Sequence, residues 1–554
     1  MIMKHDYVIG MDFGTDSARA ILVDASNGEE LASCTSFYKR WGKGLYCDSA
    51  TDRYRQHPLD YLESLEEALK GVLAECPDKG SVKAISIDST GSSPCLVDAD
   101  LKPLSLHPEF AEDPDAMFVL WKDHTSEKEA ARIIDLCTSG EFPNYICHTG
   151  NTYSAECFWC KVAHVLHSSD ALREKAFSVI EECDYLPAVL TGCKDVKDLR
   201  MSHGCAGEKW MWAEEWGGYP PKAFFEALDP VLLPILENIP QSNHYCEEAA
   251  GHLCPEWADK LGLSTDVVVG VGNIDSYSGA VGGGVAYRKM VMNMGTSACY
   301  IAVVPTEVMA GRLIDGVFGQ VDGMIIPGHD GFEVGLSSFG DAFAWLKRLL
   351  SWPVEMLLPE DADPAVRKKM IDGILPALTA EAEKLPLRLD APLATDYFNG
   401  RRNPVLNTSI TASLTRLKIH SSAPELFYAI VESTAFATKA ILDHLSSNDV
   451  TVDELVAVGG VAQKSPFVMQ LMSDVVQREI AVSATKNAGA MGAALHAAVA
   501  AGLYPDVPSA QKAMCPPVMC SFKPTNDKAR LDILMKRYER YLDLARFTEE
   551  QQKK

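Results

Sequence analysis

Two short turns in this sequence have the residue types that hold phosphate groups. The first lies in the segment Asp12-Phe13-Gly14-Thr15-Asp16-Ser17, and the second in Asn293-Met294-Gly295-Thr296-Ser297. An apolar run enters each Gly-Thr turn and another leaves it, which predicts a β-hairpin at each place. The turn of such a hairpin exposes backbone N–H groups and hydroxyls that can bind phosphate oxygens without a patch of lysines. One turn in each half of the chain predicts two similar domains that close on one nucleotide.

Asp12 stands beside the first turn, at the end of the apolar run Tyr7–Met11. A carboxylate there is placed to bind a metal–phosphate complex, directly or through water, and Mg²⁺ favours one or two carboxylates with waters and phosphates. The alternative is that Asp12 only stabilises the turn through a neighbouring backbone N–H. The second Gly-Thr-Ser turn favours the metal hypothesis.

Asp275 is a second carboxylate that could take part in a reaction. It follows the buried-strand run Val267–Gly272, and ligands of α/β proteins bind at the carboxyl ends of strands. Phosphoryl transfer to a hydroxyl needs a base that accepts the hydroxyl proton. Asp275 could be that base, while Asp12 serves the metal. The alternative is an aspartate that caps the following helix.

The pair Gly459-Gly460 follows an apolar run and precedes a predicted helix, an arrangement that could support an adenosine moiety. Other nucleotide-binding motifs are absent from the sequence. It contains no G-x-x-x-x-G-K-[ST] segment, and Gly270-Val271-Gly272 lacks the third glycine of a dinucleotide fingerprint.

The elements around these residues alternate between strands and helices, which predicts an α/β fold. Residues 58 to 75 have a helical period, with Leu62, Leu65, Leu69 and Val72 on one face. Residues 107 to 160 have no clear period and are predicted to be irregular. The glycine-rich stretch Gly279–Gly284 is interpreted as a hinge, so we expect one domain over residues 1–284 and a second over 285–554. The small residues of 487–494 predict a helix that another backbone can approach closely.

The composition excludes several classes of protein. The chain has 554 residues and a formal net charge of −25, which disfavours nucleic acid and anionic membranes as partners. No apolar run is long enough to span a membrane, and the first residues do not resemble a signal peptide. The 16 cysteines are scattered and predict reduced thiols in the cytoplasm. The pair Cys157 and Cys160 has metal-ligand spacing without a second pair, so a helix face is the favoured interpretation over zinc.

With these turns, the Gly-Gly pair and the strand-end aspartate, the chain resembles the FGGY family of carbohydrate kinases, which belongs to the actin-like ATPase superfamily. The segment Tyr153–Lys161 is similar to the first family signature. Further blocks are most similar to the family members that phosphorylate ribulose, and the resemblance extends from residue 7 to about 545. These blocks are Tyr38–Trp41, Gln56–Tyr61, Asp88–Ser92, Pro108–Glu112, Met117–Thr125 and Phe398–Arg402.

The resemblance implies two actin-like (ribonuclease H-like) α/β domains with a nucleotide cleft between them. It implies ATP-dependent, magnesium-requiring phosphorylation of L-ribulose on its 5-hydroxyl, giving L-ribulose 5-phosphate in L-arabinose catabolism in the cytoplasm. Carried over by position, Asp275 is the general base, and the sugar-contacting residues are Trp121, Lys209, Asp275 and Glu333. Phosphate contacts are implied for Asp12, Thr15, Arg19, Gly295, Thr296 and Ser297, with Asp12 holding the metal through water. Nucleotide contacts are implied for Gly340, Gly460 and Lys464.

Two alternatives stay open at this point. The first is another FGGY kinase, acting on D-ribulose, xylulose, ribitol or a related polyol, because the nucleotide half does not exclude these acceptors. The second is an actin-like ATPase without a small-molecule acceptor, although no segment reads as a separate peptide-binding domain. A homodimer is also left open, since one sequence does not fix the oligomeric state.

Overall fold

The computed structural model describes residues 5–359 and 361–552, which form two compact units. Unit 1 contains the described chain up to Tyr287, together with Val303–Phe332 and Asn487–Pro517. Unit 2 contains Arg288–Ala302, Glu333–Lys486 and the described chain from Val518 onward. Both units are therefore discontinuous in sequence, and the division into 1–284 and 285–554 stays a prediction about family domains.

The strands are given first, in chain order. They are β1 (Tyr7–Phe13), β2 (Ser17–Asp24), β3 (Glu30–Phe37), β4 (Cys47–Asp48), β5 (Arg53–Gln56), β6 (Val82–Ser89), β7 (Pro94–Val97), β8 (Phe118–Val119), β9 (Ser178–Glu181), β10 (Met201–Ser202) and β11 (Asn243–His244). They continue with β12 (Ala249–His252), β13 (Val268–Gly270), β14 (Asn273–Ile274), β15 (Lys289–Met294), β16 (Ala298–Pro305), β17 (His329–Leu336), β18 (Leu393–Ala394), β19 (Leu414–Thr415), β20 (Glu454–Val458), β21 (Ile480–Ser483) and β22 (Val518–Phe522).

The α-helices follow in the same order. They are α1 (Pro58–Ala74), α2 (Glu127–Thr138), α3 (Phe158–Ser168), α4 (Asp170–Lys175), α5 (Glu182–Thr191), α6 (His203–Lys209), α7 (Lys222–Leu228), α8 (Leu233–Glu237), α9 (Pro255–Leu261) and α10 (Asp275–Gly282). They continue with α11 (Thr306–Met309), α12 (Gly340–Leu357), α13 (Pro364–Ala382), α14 (Ala423–Ser447), α15 (Gly460–Lys464), α16 (Pro466–Val476), α17 (Ala488–Ala500), α18 (Val507–Met514) and α19 (Lys528–Gln552).

Each unit is built on one main sheet, and the two sheets have the same plan. In unit 1 the strand order is β12-β13-β6-β1-β2-β3, with β14 also paired to β6. In unit 2 the order is β17-β16-β15-β20-β21-β22. The first strand of each predicted hairpin pairs antiparallel with the second strand (β1 with β2, β15 with β16) and parallel with a strand on its other side (β6 or β20). The α/β fold and both hairpins are thus confirmed.

The core of unit 1 forms between this sheet and the helices on its faces. The helix predicted over residues 58 to 75 is α1, whose Leu65, Leu69 and Val72 are fully buried among the residues of β1 and β2. Its first turn contains Pro58, which is favourable at a helix start because the missing N–H would have no partner there.

The glycine-rich stretch Gly279–Gly284 is helical in its first part, since Gly279 to Gly282 form the buried second half of α10. A hinge at this stretch stays a prediction. A Cβ at Gly282 would lie 2.2 Å from the Ala488 carbonyl oxygen, so this glycine permits close packing against α17. The expectation that residues 107 to 160 are irregular was wrong in part. They contain the regular helix α2 and the start of α3, while short 3₁₀ turns lie in the proline-rich part and at Cys147–Thr149.

Within the described residues, the structure contains no helix that combines the length and apolarity needed to cross a lipid bilayer. Cys157 and Cys160 are both buried, at the N-cap and in the first turns of α3, in agreement with the helix-face interpretation.

Candidate active site

The first Gly-Thr turn joins β1 to β2 in unit 1. The Gly14 N–H donates to the Ser17 carbonyl oxygen (3.0 Å), which closes a tight turn. The hairpin register places Asp12 opposite Arg19, and an Arg19 guanidinium nitrogen lies 3.5 Å from an Asp12 carboxylate oxygen. The structure therefore brings Asp12, Thr15 and Arg19 together at one hairpin end, as the sequence predicted.

Three carboxyl groups lie at the ends of adjacent strands beside this turn. The parallel pairing of β1 with β6 puts Asp88 next to Asp12, and the pairing of β14 with β6 puts Asp88 next to Asn273, two residues before Asp275. Asp88 is fully buried, and in the described structure its two carboxyl oxygens have no hydrogen-bond partner. Burial, followed by the charges of Asp12 and Asp275, raises the pKa of Asp88 well above its usual range.

The pKa of Asp12 is raised in the same way, though by less than that of Asp88. Burial raises the pKa of Asp12, and the Arg19 guanidinium opposes that shift. Burial therefore disfavours the ionised forms of Asp12 and Asp88, and a cation bound beside them would offset that cost. Sequence reasoning missed Asp88 as a member of this group. The available signal was its position at the end of the strand run Val82–Asp88, the same position that marked Asp12.

Helix α17 covers this end of the sheet because its residues are small. A Cβ at Gly492 would lie 1.8 Å from the Ser278 carbonyl oxygen of α10, and a Cβ at Gly489 would lie 3.1 Å from the Asp12 carboxyl carbon. On the opposite side, a Cβ at Gly10 would lie 1.9 Å from the Ala490 carbonyl oxygen. The predicted close approach of a backbone to residues 487–494 is confirmed.

Trp121 connects the region around β8 to the first Gly-Thr turn. Its indole N–H donates to the Thr15 hydroxyl at 3.1 Å, and the residue lies two positions after the short strand β8. A predicted sugar-contacting residue and a predicted phosphate-contacting residue are therefore in direct contact, which the sequence did not indicate.

Lys161 holds the segment that contains Trp121. Its ammonium group is fully buried and donates to the carbonyl oxygens of Ser92 (2.7 Å), Leu120 (2.7 Å) and Trp121 (3.2 Å). Burial lowers the pKa of Lys161 to about 8. The sequence presented Lys161 only as part of a family signature, and a lysine between the apolar pairs Phe158-Trp159 and Val162-Ala163 was the signal for a buried role.

Lys209 ends helix α6, a segment that the sequence did not mark as helical. Its ammonium nitrogen is buried 3.1 Å from a Glu208 carboxylate oxygen and lies over the Phe318 ring. The Tyr153 hydroxyl donates to its carbonyl oxygen at 2.7 Å. These contacts fix Lys209 within unit 1.

The four predicted sugar residues are divided between the units. Trp121, Lys209 and Asp275 belong to unit 1, whereas Glu333 belongs to unit 2. There Glu333 is a buried residue of β17, with a carboxylate oxygen 3.5 Å from an Arg402 guanidinium nitrogen.

The second Gly-Thr turn, in unit 2, is one residue shorter than the first. The Gly295 N–H donates to the Ser297 carbonyl oxygen at 3.0 Å, and Met294 pairs with Ala298 across the hairpin. Helix α12 begins directly on this turn, because the N–H groups of Phe339 and Asp341 donate to the Thr296 carbonyl oxygen at 2.8 and 3.0 Å. A Cβ at Gly340 would lie 2.6 Å from the Gly295 carbonyl oxygen, so only glycine fits there. The N–H groups at the start of α12 therefore hold the Gly295–Ser297 turn in place.

The Gly459-Gly460 pair lies next to the same turn. Gly459 has a φ of 97°, and a Cβ there would lie 2.8 Å from the Met294 carbonyl oxygen. Gly460 begins α15, whose last residue is the exposed Lys464. The Gln463 side-chain amide donates to the Thr485 carbonyl oxygen at 2.5 Å, which holds α15 against the end of β21. The strand–turn–helix arrangement predicted at this pair is therefore present.

Known proteins resemble the chain over both halves. The family model described as the FGGY family of carbohydrate kinases, N-terminal domain, matches residues 7–282, and the corresponding C-terminal domain model matches residues 290–501. A protein named ribulokinase from Vibrio parahaemolyticus is 42% identical over 547 residues, covering 98% of this chain and 96% of the relative. Another protein of that name, from Halalkalibacterium halodurans, is 33% identical over 557 residues, covering 98% and 95%.

Solved structures agree with the fold. A xylulose kinase from Rhodospirillum rubrum superimposes with a TM-score of 0.78 at 19% identity, covering 98% of this chain and 99% of that chain. A glycerol kinase from Plasmodium falciparum superimposes with a TM-score of 0.73 at 15% identity, covering 97% and 98%. At such low identity these structures support the two-domain fold alone.

Proposed function

The chain belongs to the FGGY family of carbohydrate kinases, and from that premise we propose that it transfers the γ-phosphoryl group of ATP to the 5-hydroxyl of L-ribulose. The product is L-ribulose 5-phosphate, an intermediate of L-arabinose catabolism, and the reaction takes place in the cytoplasm. The observation that carries the proposal is the 42% identity, over almost the full length of both chains, to a protein named ribulokinase.

Asp275 is the general base in this proposal. Its carboxylate accepts the proton of the 5-hydroxyl while the hydroxyl oxygen bonds to the γ-phosphorus and the bond to the bridging oxygen of ADP breaks. The position of Asp275 supports this role, because it begins α10 directly after β14, at the carboxyl end of the sheet. Trp121, Lys209 and Glu333 hold the sugar, with the Trp121 indole oriented by its hydrogen bond to Thr15.

The phosphates of ATP are assigned to the two Gly-Thr turns. Asp12, Thr15 and Arg19 serve in unit 1, while Gly295, Thr296 and Ser297 serve in unit 2. Gly340, Gly460 and Lys464 contact the rest of the nucleotide. The support within unit 2 is the packing of α12 and the Gly459 turn against the Gly295–Ser297 turn.

The carboxyl group of Asp12 would hold a magnesium ion through water. The residues present fit such an ion, because Asp88 offers buried carboxyl oxygens beside Asp12 and hard oxygen donors are what Mg²⁺ prefers. When bound, the ion neutralises charge on the phosphate oxygens.

Assays with a panel of sugars and polyols test which acceptor the enzyme phosphorylates. We expect ADP release to be fastest with L-ribulose, compared with D-ribulose, D-xylulose, ribitol and glycerol at equal concentrations. A preference for xylulose or glycerol would exclude the ribulose assignment, and ATP hydrolysis that is independent of any sugar would favour the acceptor-free ATPase.

The same assay tests the role of Asp275 as the general base. Asp275→Asn keeps the size of the side chain but cannot take the proton, so kcat is expected to fall by about 10²–10⁴-fold. Asp266→Asn, at an exposed aspartate of the same unit, is the control and retains activity. A folded Asp275→Asn enzyme with wild-type turnover would contradict the assignment.

A further inference from the structure

A cysteine, a histidine and a glutamate lie together in unit 1, and none of them belongs to the proposed active site. They are Cys147, His148 and Glu215, which we name the Cys-His-Glu cluster. One ligand atom from each side chain lies within 4.8 Å of the other two. Cys147 and His148 begin one 3₁₀ turn, and Glu215 lies in another, 67 positions after His148. Thiol, imidazole and carboxylate groups are the side chains that bind zinc in proteins.

The contacts of His148 direct one of its ring nitrogens toward this cluster. Nδ1 lies 2.7 Å from the Gln320 carbonyl oxygen, and because a carbonyl oxygen only accepts, Nδ1 carries the proton. Nε2 lies 3.2 Å from a Glu215 carboxylate oxygen, which is also an acceptor. In the neutral imidazole two lone pairs therefore face each other, and a cation between them removes the repulsion. Metal-binding histidines have this arrangement, in which the second ring N–H is held by a carbonyl or carboxylate oxygen.

The distances suit a tetrahedral zinc ion. Zinc bonds of about 2.0–2.3 Å place two neighbouring ligand atoms roughly 3.3–3.7 Å apart. The distance of 3.2 Å between His148 Nε2 and the Glu215 oxygen is close to that value. The Cys147 sulfur completes the set with a movement of about 1 Å. A second proton on His148 would also remove the repulsion, but only a metal ion uses the sulfur as well.

The chemistry of the three ligands selects the metal. Sulfur and nitrogen ligands favour zinc over magnesium or calcium, which prefer oxygen. The Glu215 side chain is 59% exposed, so an ion can enter from solvent and keep a water molecule as its fourth ligand. Burial, followed by the charge of Glu215, raises the pKa of Cys147 to about 11. The thiol proton is therefore released to solvent as the zinc–sulfur bond forms.

Both turns of the cluster are held by contacts that do not need an ion. The Gln320 N–H donates to the His148 carbonyl oxygen at 3.1 Å, so Gln320 contacts both the backbone and the ring of His148. The Trp216 indole N–H donates to the Met211 carbonyl oxygen at 3.1 Å, and the Trp216 ring packs against the His148 ring. Ligands that are already oriented lose less conformational entropy when an ion binds.

We propose that the Cys-His-Glu cluster binds one zinc ion, with the Cys147 sulfur, His148 Nε2, a Glu215 carboxylate oxygen and water as its four ligands. The ion links the 3₁₀ turn Cys147–Thr149 to the 3₁₀ turn Glu214–Trp216. It is distinct from the magnesium ion of the proposed reaction, and this inference does not depend on which sugar the enzyme phosphorylates.

Zinc titration of the full-length enzyme tests the proposal, with a chromophoric chelator as competitor and excess Mg²⁺ present. We expect one zinc ion per chain with a Kd of about 1 μM or below. Cys147→Ser and Glu215→Gln should each weaken binding by at least about 100-fold, since even the loss of a group that only orients a ligand costs about 10–100-fold. Cys520→Ser and Glu214→Gln, at an exposed cysteine and at the exposed neighbour of Glu215, are the matched controls and should bind zinc as the wild type does.

Cobalt(II) in place of zinc identifies the ligands by absorption. The wild-type enzyme should show the near-ultraviolet band of a cobalt–sulfur bond, which Cys147→Ser loses and Cys520→Ser keeps. Because Glu215 is exposed, Glu215→Gln is expected to fold and tests the site even if Cys147→Ser does not. A wild-type enzyme that binds no zinc at micromolar concentration, unchanged affinity in Glu215→Gln, or a cobalt spectrum that a folded Cys147→Ser variant keeps would each overturn the proposal.

Discussion

At the scale of single residues, the contact between Trp121 and Thr15 joins two parts of the chain that the sequence separates by more than a hundred positions. An indole N–H that lies partly in the protein interior must have an acceptor, and the Thr15 hydroxyl is that acceptor. The segment that contains Trp121 is therefore fixed against the first Gly-Thr turn of the same unit.

A double-mutant cycle measures this connection. Trp121→Phe and Thr15→Val each remove one partner while keeping its approximate shape. We expect a coupling energy of about 0.5–1.5 kcal/mol in kcat/KM for L-ribulose, since each single substitution already breaks the bond. The pair Trp121→Phe and Thr306→Val is the control, because the Thr306 hydroxyl donates to Asp330 instead. Fully additive effects at Trp121 and Thr15 would refute the connection.

Lys161 supports the same segment from behind. Lys161→Met would leave the carbonyl oxygens of Ser92, Leu120 and Trp121 without their buried charged donor. The Trp121 segment should then shift, raising the KM for L-ribulose by about 10–100-fold with little change in the KM for ATP. Steady-state kinetics of the folded variant measure both constants, with Lys128→Met on the exposed side of α2 as the control. An equal rise in both KM values would indicate general damage instead.

At the scale of elements, helix α17 decides how closely the sheet and α10 can pack. Its small residues let the backbones of β1 and α10 come within contact distance, which places the ends of three strands and their carboxyl groups under one helix. Close packing of this kind excludes water, and this accounts for the raised pKa values of Asp12 and Asp88.

Two glycine-to-alanine substitutions distinguish the effect of this close packing on stability from the general preference of a helix for alanine over glycine. Gly492→Ala would drive a methyl group into the Ser278 carbonyl and should reduce the free energy of unfolding by at least about 2 kcal/mol. Gly373→Ala in α13 meets no neighbouring atom and should raise it by about 0.5–1 kcal/mol, the ordinary preference of a helix for alanine. Denaturant unfolding measures both changes, and a stabilised Gly492→Ala variant would contradict the packing.

The contact of α19 with the segment after β18 predicts that the free energy of unfolding depends on pH. Burial raises the pKa of Asp396 from 3.8 to about 6, and the Tyr541 hydroxyl donates to its carboxyl group at 2.6 Å. The folded state therefore holds the Asp396 proton more tightly than the unfolded state does. Stability is favoured below pH 3.8 and is lost as the pH rises to 6, by about 3 kcal/mol in total.

Urea unfolding of the wild-type enzyme and the Asp396→Asn variant between these pH values checks the sign. The difference in unfolding free energy, wild type minus variant, should fall as the pH rises, because asparagine does not ionise. Tyr541→Phe should make this decrease in the unfolding free-energy difference larger, since the Tyr541 hydroxyl stabilises the ionised carboxyl group of Asp396. A difference that is flat or rises with pH would contradict the prediction.

At the scale of the whole molecule, the chain uses one sheet plan twice but does not divide at one point. The segment Asn487–Pro517, which contains α17, belongs to unit 1 although unit 2 precedes it in sequence. Unit 1 therefore lacks the helix that covers its carboxyl groups until nearly the whole chain is present. The net charge of −25 on the whole chain fits the proposed function, in which the amides of the two Gly-Thr turns hold the phosphate groups and no general positive field is needed.

Much of this protein was determined by the sequence alone, because the determining signals are local. A glycine that makes a tight turn, an apolar run that ends in aspartate and a helical period are set by neighbouring residues. They predicted the two hairpins, α1 and the small-residue helix α17, and blocks of similar residues identified the family.

Tertiary structure decided the features that depend on distant neighbours. The grouping of Asp88 with Asp12 and Asp275 follows from strand register, and the Trp121–Thr15 bond and the burial of Lys161 follow from the packing of segments far apart in sequence. The close contact of Gly282 in α10 with Ala488 of α17 likewise follows from packing between distant segments. Residue types therefore specified which chemical groups the chain has. Strand register and packing specified which of these groups lie together in the protein interior and which helix faces stay exposed to solvent.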